Sequence, residues 1–205
     1  MTPMLADCRF HATTVVYVTR FAGALGTLHV ASVDEGVCAL AFDARAQGLE
    51  PRLRRTFGPF FRVEEGDPAG IAARMGRYFA GELRALDDVP LAAPATPMQR
   101  RVWSLVRDVP PGDVTTYASI AQRLGMPRAQ RAVGVCLASN PVPMLVPCHR
   151  VIAASGSLGS HPGGVAVKEA LLRHEGAHFA WPRRARARAR VDDTVELVAF
   201  PLALG

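Results

Sequence analysis

The sequence predicts an α+β protein, with a strand-rich N-terminal part followed by a mainly helical C-terminal part. Runs of β-branched and aromatic residues are concentrated between residues 12 and 42, whereas apolar residues at helical spacing dominate residues 96–176. About half of the side chains are hydrophobic (49%), which is typical of a chain with a buried core. A proline-bearing connector at residues 91–96 predicts an N-terminal α/β domain over 1–92, a second domain over 96–180 and a basic tail over 181–205.

The N-terminal part is predicted to contain a small sheet and one helix. The strands are expected at residues 15–18, 26–32 and 36–42, with a turn at 34–36. A helix is predicted over residues 68–83, because Pro68 lies near its start and one face is apolar. The apolar residues of that face are Ile71, Met75, Tyr78 and Phe79.

The C-terminal part is predicted to form four helices, the first of which begins at Thr96 and Pro97. A threonine N-cap followed by proline is a strong helix start, and the apolar stripe that follows ends before Pro110. A second helix should span residues 117–124, capped by Thr116 and closed by a left-handed Gly125.

A third helix is predicted over residues 128–139, and a fourth over residues 165–175 with Gly176 just past its end. The second and third helices are joined by Gly125, Met126 and Pro127, which predicts a helix-turn-helix.

Charge is unevenly distributed along this chain of net charge +6. Residues 96–180 hold nine basic and four acidic side chains, which favours a polyanionic partner but is equally compatible with ordinary solubility charge. The alternating arginines of residues 183–190 are expected to be a solvated tail, with a phosphate-binding arm as the alternative. No apolar run is long enough for a membrane span and no signal-peptide pattern is seen, so a soluble cytoplasmic protein is expected.

The four cysteines are Cys8, Cys38, Cys136 and Cys148. Their low density favours reduced thiols over a disulfide framework. A zinc site built from Cys8, His11, His29 and Cys38 is the alternative, but the spacing is poor and a strand pattern runs through it. No metal is therefore predicted.

Cys148 lies between a proline and His149, directly after an apolar run. A thiol attacks only as its thiolate, so it needs a proton acceptor. Adjacent side chains of an extended chain point to opposite faces, so we expect a water between Cys148 and His149. Glu175 on the last helix would orient His149 and complete an activated-cysteine arrangement, with a buried inert thiol as the alternative.

Residues 96–176 resemble the C-terminal domain of the O6-alkylguanine-DNA alkyltransferases, also called methylated-DNA–protein-cysteine methyltransferases. The matching segments occur in the family's order and spacing, at residues 96–103, 111–117, 131–134, 140–151 and 163–176. Residues 20–90 resemble the family's variable N-terminal domain more loosely, including residues 77–83. The resemblance implies a ribonuclease H-like N-terminal domain and a winged-helix-like C-terminal domain.

The resemblance implies direct reversal of DNA damage in a single suicide reaction. Cys148 would accept an alkyl group from O6 of guanine, and from O4 of thymine. His149 would be the water-mediated base, Glu175 would hold it, and Asn140 would brace the turn. No cofactor is implied, and the expected partner of the monomeric protein is double-stranded DNA that contains O6-alkylguanine.

The resemblance also implies that the damaged base is flipped out of the duplex, because its O6 cannot be reached inside the stack. Arg131 would fill the gap and Tyr117 would rotate the nucleotide. The third predicted helix carries small residues, Ala129 and Gly134 among them, which suit close approach to a narrow minor groove. The implied substrate pocket consists of Tyr117, Val151, His161, Pro162 and Gly163.

The pair His161-Pro162 departs from the family pattern, which has a tyrosine followed by a residue whose backbone N–H holds guanine O6. Proline has no N–H to donate. His161 can donate a hydrogen bond or titrate near neutral pH, unlike a phenol. We therefore expect slowed or pH-sensitive transfer, or a changed tolerance for larger alkyl groups.

Three other functions remain open at this point. The first is a non-enzymatic protein that binds alkylguanine with impaired transfer, against which the presence of Cys148 argues. The second is a transcription factor that uses residues 117–139, which lacks a separate regulatory domain. The third is a cysteine hydrolase, which leaves the helix-turn-helix unexplained.

Overall fold

The computed structural model describes residues 14–58 and 61–179. The predictions for Cys8, His11 and the tail over 181–205 lie outside these residues. Within the described ranges, no helix is both long enough and apolar enough to cross a membrane.

The N-terminal sheet has four strands in the order β3-β2-β1-β4. The first three strands form an antiparallel meander and confirm the prediction: β1 (Val15–Gly23), β2 (Gly26–Val33) and β3 (Gly36–Phe42). The fourth strand, β4 (Arg62–Glu65), pairs in parallel with β1, which makes the sheet mixed. We did not predict β4, because all four of its side chains are exposed and three are charged.

Two helices accompany the sheet. A 3-10 turn (Asp43–Gly48) leads from β3 into α1 (Leu49–Phe57), which buries Leu49, Leu53 and Phe57 on one face. Neither element was predicted, because arginine and proline obscure this spacing of apolar residues.

The second helix, α2 (Ile71–Phe79), is shorter than the predicted 68–83. Its start is set by the Asp67 carboxylate, which accepts the backbone N–H groups of Ile71 and Ala72 at 2.7 and 2.8 Å.

The C-terminal helices follow the predicted order. They are α3 (Pro97–Arg107), α4 (Tyr117–Arg123), α5 (Gln130–Ala138) and α6 (Val165–His174). Thr96 and Gln99 form a reciprocal capping box on α3, and Thr116 caps α4 at 3.0 Å. Gly125 has the expected left-handed conformation, with φ of 74°. The short parallel strands β5 (Thr115–Thr116) and β6 (Val151–Ile152) join the start of α4 to the segment that follows Cys148.

The largest hydrophobic core contains residues from both halves of the chain. Met75 and Tyr78 of α2 share it with Trp103 of α3 and Leu171 of α6. The backbone is also joined across the halves, since Leu40 N–H donates to the Pro141 carbonyl at 2.7 Å. The α+β class is confirmed, and the boundary near residues 91–96 stays a prediction.

Candidate active site

Cys148 begins a short 3-10 turn (Cys148–Arg150) that is held by Asn140. The Asn140 side-chain amide donates to the Val146 carbonyl at 2.9 Å, and its oxygen accepts the Val142 N–H at 3.0 Å. Between these contacts, Met144 adopts a left-handed φ of 73°, a costly conformation for a residue other than glycine. The two hydrogen bonds of Asn140 therefore stabilise a strained loop that ends at the cysteine.

The Cys148 thiol is buried, with 5% of the residue exposed. Burial raises the pKa of this thiol, while a hydrogen bond from Asn140 and the charge of Lys168 act in the opposite direction. The resting group is therefore a thiol. Attack by its sulfur requires a nearby group that takes the proton.

His149, the next residue in the chain, is the candidate proton acceptor. Its Nε2 lies 3.0 Å from Glu175 Oε1, and burial lowers the pKa of the imidazole despite that carboxylate. A neutral imidazole beside a carboxylate carries its proton on the nitrogen that faces it. The other nitrogen, Nδ1, is buried and has no hydrogen-bond partner among the described residues, so it presents a free lone pair.

Glu175 receives four hydrogen bonds. Arg150 donates to both carboxylate oxygens at 2.9 and 2.8 Å, and Tyr78 and His149 donate to Oε1 at 2.7 and 3.0 Å. Burial alone would raise the pKa of this carboxyl, but the hydrogen bonds from His149 and Arg150 outweigh burial and lower it. Glu175 therefore stays ionised and fixes the orientation of His149.

Tyr78 and Arg150 were not predicted as site residues. Tyr78 lies on α2, far from Glu175 in sequence, and was assigned to an apolar helix face. Arg150 follows the Cys-His pair in an otherwise apolar segment. An arginine in such a segment was the local signal that could have indicated a carboxylate partner, and the structure shows that Arg150 is buried. Arg150 also donates to the Val109 carbonyl at 2.6 Å, which ties the site to the end of α3.

Lys168 of α6 is a further buried charge that was not predicted. Its ammonium donates to the carbonyls of Val151, at 2.6 Å, and Leu158. Burial lowers its pKa to about 8, and the nearby Cys148 opposes this shift. Lys168 thereby fastens α6 to the segment that carries Cys148.

Cys148 lines a cavity of about 600 Å³. Six of the predicted site residues line it: Tyr117, Gly134, Asn140, Cys148, His161 and Pro162. Leu137 and Ala138 of α5 also line it, as do residues of the N-terminal half from Leu40 into α1. Predicted pocket residues Val151 and Gly163 are not among its lining residues.

Comparison with known proteins places this site in a family. Residues 97–177 match the sequence profile of the 6-O-methylguanine DNA methyltransferase, DNA binding domain. A methylated-DNA–protein-cysteine methyltransferase of Methanosarcina acetivorans is 36% identical over 163 residues, 79% of this chain and 99% of that protein. The chain belongs to the methylated-DNA–protein-cysteine methyltransferase family.

Other members of the methyltransferase family agree with this assignment. The Shigella flexneri protein of the same name is 46% identical over 115 residues, which are 56% of this chain and 67% of that protein. The crystal structure of a Mycobacterium tuberculosis O6-methylguanine methyltransferase is 35% identical with a TM-score of 0.66, covering 78% of this chain and 93% of that one. A M. tuberculosis structure in complex with DNA is 28% identical, with a TM-score of 0.61, covering 78% and 92%.

In this methyltransferase His161 is buried, with 7% of the residue exposed. The Gly163 N–H donates to its Nδ1 at 3.1 Å, so the proton of the neutral ring is on Nε2. Burial is the largest cause that lowers the pKa of His161 to about 3, and the charges of Lys168 and Arg45 lower it further. The prediction that His161 titrates near neutral pH is therefore wrong, because the sequence did not reveal its burial.

Gly163 is packed too closely to carry a side chain. A Cβ at this position would lie 2.8 Å from Val167 Cγ1 and 2.9 Å from the Phe42 ring. The Phe42 ring also packs edge-on against His161, with centroids 5.8 Å apart. Gly163 thus supports His161 through its backbone N–H while it stays outside the cavity.

The residues predicted to contact DNA lie around α4 and α5. Arg131 is exposed near the start of α5, Ala129 precedes that helix, and Gly134 is half-buried. Tyr117 begins α4, is half-buried and lines the cavity, and a Cβ on Gly134 would be 3.9 Å from its ring. Arg131 is not among the cavity-lining residues. The helix α5 therefore carries both an exposed arginine near its start and, further along, residues that line the cavity.

The alternative zinc site has two members in the described part of the chain. His29 Nε2 lies 3.2 Å from Asp43 Oδ1, and the Cys38 thiol donates to the Ala31 carbonyl at 3.2 Å. Residues 14–58 and 61–179 contain no group of three metal-ligating side chains arranged to hold an ion.

Proposed function

We propose that Cys148 is the residue that accepts the methyl group when this methyltransferase repairs O6-methylguanine in DNA. The observation that supports this role is that the buried thiol lines the cavity and that the residue after it, His149, is paired with Glu175. Cys136 is also buried, but its pKa is raised by burial alone, and it is not among the residues that line the cavity.

The proposed reaction is an in-line displacement. The Cys148 thiol loses its proton to His149 Nδ1 through a water, and the thiolate attacks the methyl carbon. The S–C bond forms as the C–O6 bond breaks, and the electron pair passes into the guanine ring. The thiol releases one proton and the departing guanine takes up one, so the overall step is proton-neutral.

The product is a thioether at Cys148, which has no leaving route that restores the thiol. Each molecule therefore acts once, as a monomer on double-stranded DNA, and needs no cofactor. The same displacement applies to longer alkyl groups on guanine O6 and to O4 of thymine.

The DNA contacts follow from the need to extrude the base. Residues Ala129 and Gly134 let α5 approach the minor groove closely, and Arg131 fills the space that the flipped nucleotide leaves. Tyr117, at the junction of α4 and the cavity, turns the nucleotide toward Cys148.

His161 compensates for the proline that follows it. Pro162 cannot donate a backbone hydrogen bond to guanine, but His161 also lines the cavity, and its Nε2–H is buried without a partner among the described residues, so it is free to donate to the bound base. A hydrogen bond to an oxygen or nitrogen on which charge develops accelerates transfer. Val151 and Gly163 act behind this wall, through the Lys168 contact and the Gly163 N–H.

Transfer is tested with duplex DNA that contains O6-methylguanine labelled in the methyl group. We expect stoichiometric label on the protein, its loss in Cys148→Ser and its retention in the matched control Cys136→Ser. Peptide mapping should place the label on Cys148. Binding of the duplex without any label would refute transfer and favour a protein that only binds the lesion.

A further inference from the structure

Three arginines of the N-terminal half line the cavity that contains Cys148. Arg45 lies in the 3-10 turn Asp43–Gly48, and Arg52 and Arg55 lie on α1. We call these three residues the arginine wall. Because Gly134, Leu137 and Ala138 of α5 line the same cavity, the arginine wall and the helix predicted to contact DNA share it.

The arginine wall carries positive charge that no carboxylate neutralises. Among the described residues, none of the three forms an ion pair, and the cavity lining contains no aspartate or glutamate. Arg54 on the same helix differs, because Glu50 pairs with it at 2.6 Å. The positive charge of the α1 arginines that line the cavity is therefore not neutralised, whereas the charge of Arg54, which does not line the cavity, is neutralised by Glu50.

The three guanidinium groups are close enough to affect one another. Burial lowers the pKa of Arg52, and the charges of Arg55 and Arg45 lower it further. Arg45 and His161 line the same cavity, and the charge of Arg45 contributes to the lowered pKa of His161. Like charges gathered at a partly buried site are unfavourable alone and are stabilised by a bound anion.

We infer that the arginine wall binds a backbone phosphate of the DNA strand whose flipped guanine enters the cavity. This inference rests on the proposed function, because a flipped nucleotide brings its own phosphates to the cavity mouth. Guanidinium groups match phosphate oxygens in charge and in paired hydrogen-bond geometry. The N-terminal half would then be a second DNA-binding surface, in addition to α5.

The test is the double variant Arg45→Gln/Arg55→Gln, because both side chains are exposed and their removal leaves the core intact. We expect duplex affinity to fall about tenfold at about 50 mM salt. The slope of log affinity against log salt should decrease by about 1 for each phosphate that the variant no longer neutralises. The protein concentration for half-maximal labelling of the duplex should rise in parallel.

The matched control is Arg54→Gln/Arg84→Gln. It removes the same net charge from two exposed arginines that pair with Glu50 and Asp87. Equal affinities and equal salt slopes for the two double variants would overturn the inference. A variant with lysine at both wall positions should recover most of the affinity, since it keeps the charge.

Failure of the proposed function gives a different result. If the wild-type protein binds the duplex but takes no label, transfer by Cys148 is refuted, while the salt slopes still test the arginine wall. Should the double variant lose its circular dichroism spectrum, the single variant Arg55→Gln carries the test, with an expected fall in affinity of about threefold. An unchanged affinity in that variant would also count against the arginine wall.

Discussion

His149 and His161 are both buried, and burial is the largest cause of the lowered pKa of each ring. They differ in the partner that fixes the ring. A carboxylate holds Nε2 of His149, which leaves a lone pair on Nδ1, whereas a backbone N–H holds Nδ1 of His161, which leaves a proton on Nε2. Two neutral imidazoles, with centroids 6.4 Å apart, thus become an acceptor and a donor.

The largest effect is expected from removing the partner that makes His149 an acceptor. Glu175→Gln should slow transfer by about 10³–10⁴-fold, because an amide does not enforce the required tautomer. It also leaves Arg150 buried without its carboxylate, which should lower the free energy of unfolding by roughly 3 kcal/mol. Single-turnover labelling and urea denaturation measure the two effects.

The control for that variant is Glu169→Gln on α6, the helix that ends just before Glu175, where the carboxylate pairs with Arg173 near the surface. Its labelling rate should stay within about twofold of the wild type. A Glu175→Gln protein that labels at the wild-type rate would show that His149 needs no orienting carboxylate.

The next largest effect on the transfer rate is expected from removing the hydrogen-bond donor of His161. His161→Phe should reduce the transfer rate by about 10²-fold, because the ring no longer supplies an N–H at the cavity wall. His161→Gln keeps a donor and should recover part of the rate. His178→Phe, at an exposed position, is the control for removal of an imidazole. If the phenylalanine and glutamine variants transfer at one rate, His161 acts through its shape.

The low pKa of His161 also makes the free energy of unfolding depend on pH. In the unfolded chain His161 binds a proton near pH 6.5, but in the folded protein only near pH 3. Its contribution is therefore fully present above pH 6.5 and is lost as the pH falls toward 3, by up to about 1.4 kcal/mol per pH unit. Urea titrations at pH 7 and pH 5 should show a smaller acid-induced decrease in stability in His161→Gln; an equal decrease would contradict the low pKa.

The smallest effect is expected at Tyr78, which donates to Glu175 beside His149. Tyr78→Phe removes one of four hydrogen bonds and should slow transfer only a few-fold, with a decrease in stability of about 1 kcal/mol. The pH dependence of labelling should shift, because a less well held carboxylate alters the basicity of His149. An unchanged pH profile would restrict Tyr78 to a structural role.

Sequence patterns predicted the strands and capped helices well, because their signals are local. Thr96 with Pro97, Thr116 and Gly125 each set a helix end through contacts within a few residues. The strand β4 and the helix α1 were missed, since exposed charges and arginines hide the two faces. The strand β4 depends on its pairing with β1, and α1 depends on its contact with β3.

The site was predicted in part. Cys148 and His149 are neighbours in one segment, Glu175 was predicted from the last helix as the group that orients His149, and the family resemblance added the role of Asn140. Tyr78 and Lys168 act through contacts that join distant segments of the chain, so no local pattern indicates them. The burial of His161, which decides its protonation, likewise depends on packing against Phe42.

The hydrogen bond between Tyr78 and Glu175 limits how far this protein can be trimmed. A fragment that begins at Thr96 would keep the cysteine but lose one donor to its orienting carboxylate. It would also uncover Trp103 and Leu171, which share a core with α2. We therefore expect that any shortened form of this chain must retain α2. Fusion partners should be attached at the ends of the chain and not inserted into the connector that precedes α3.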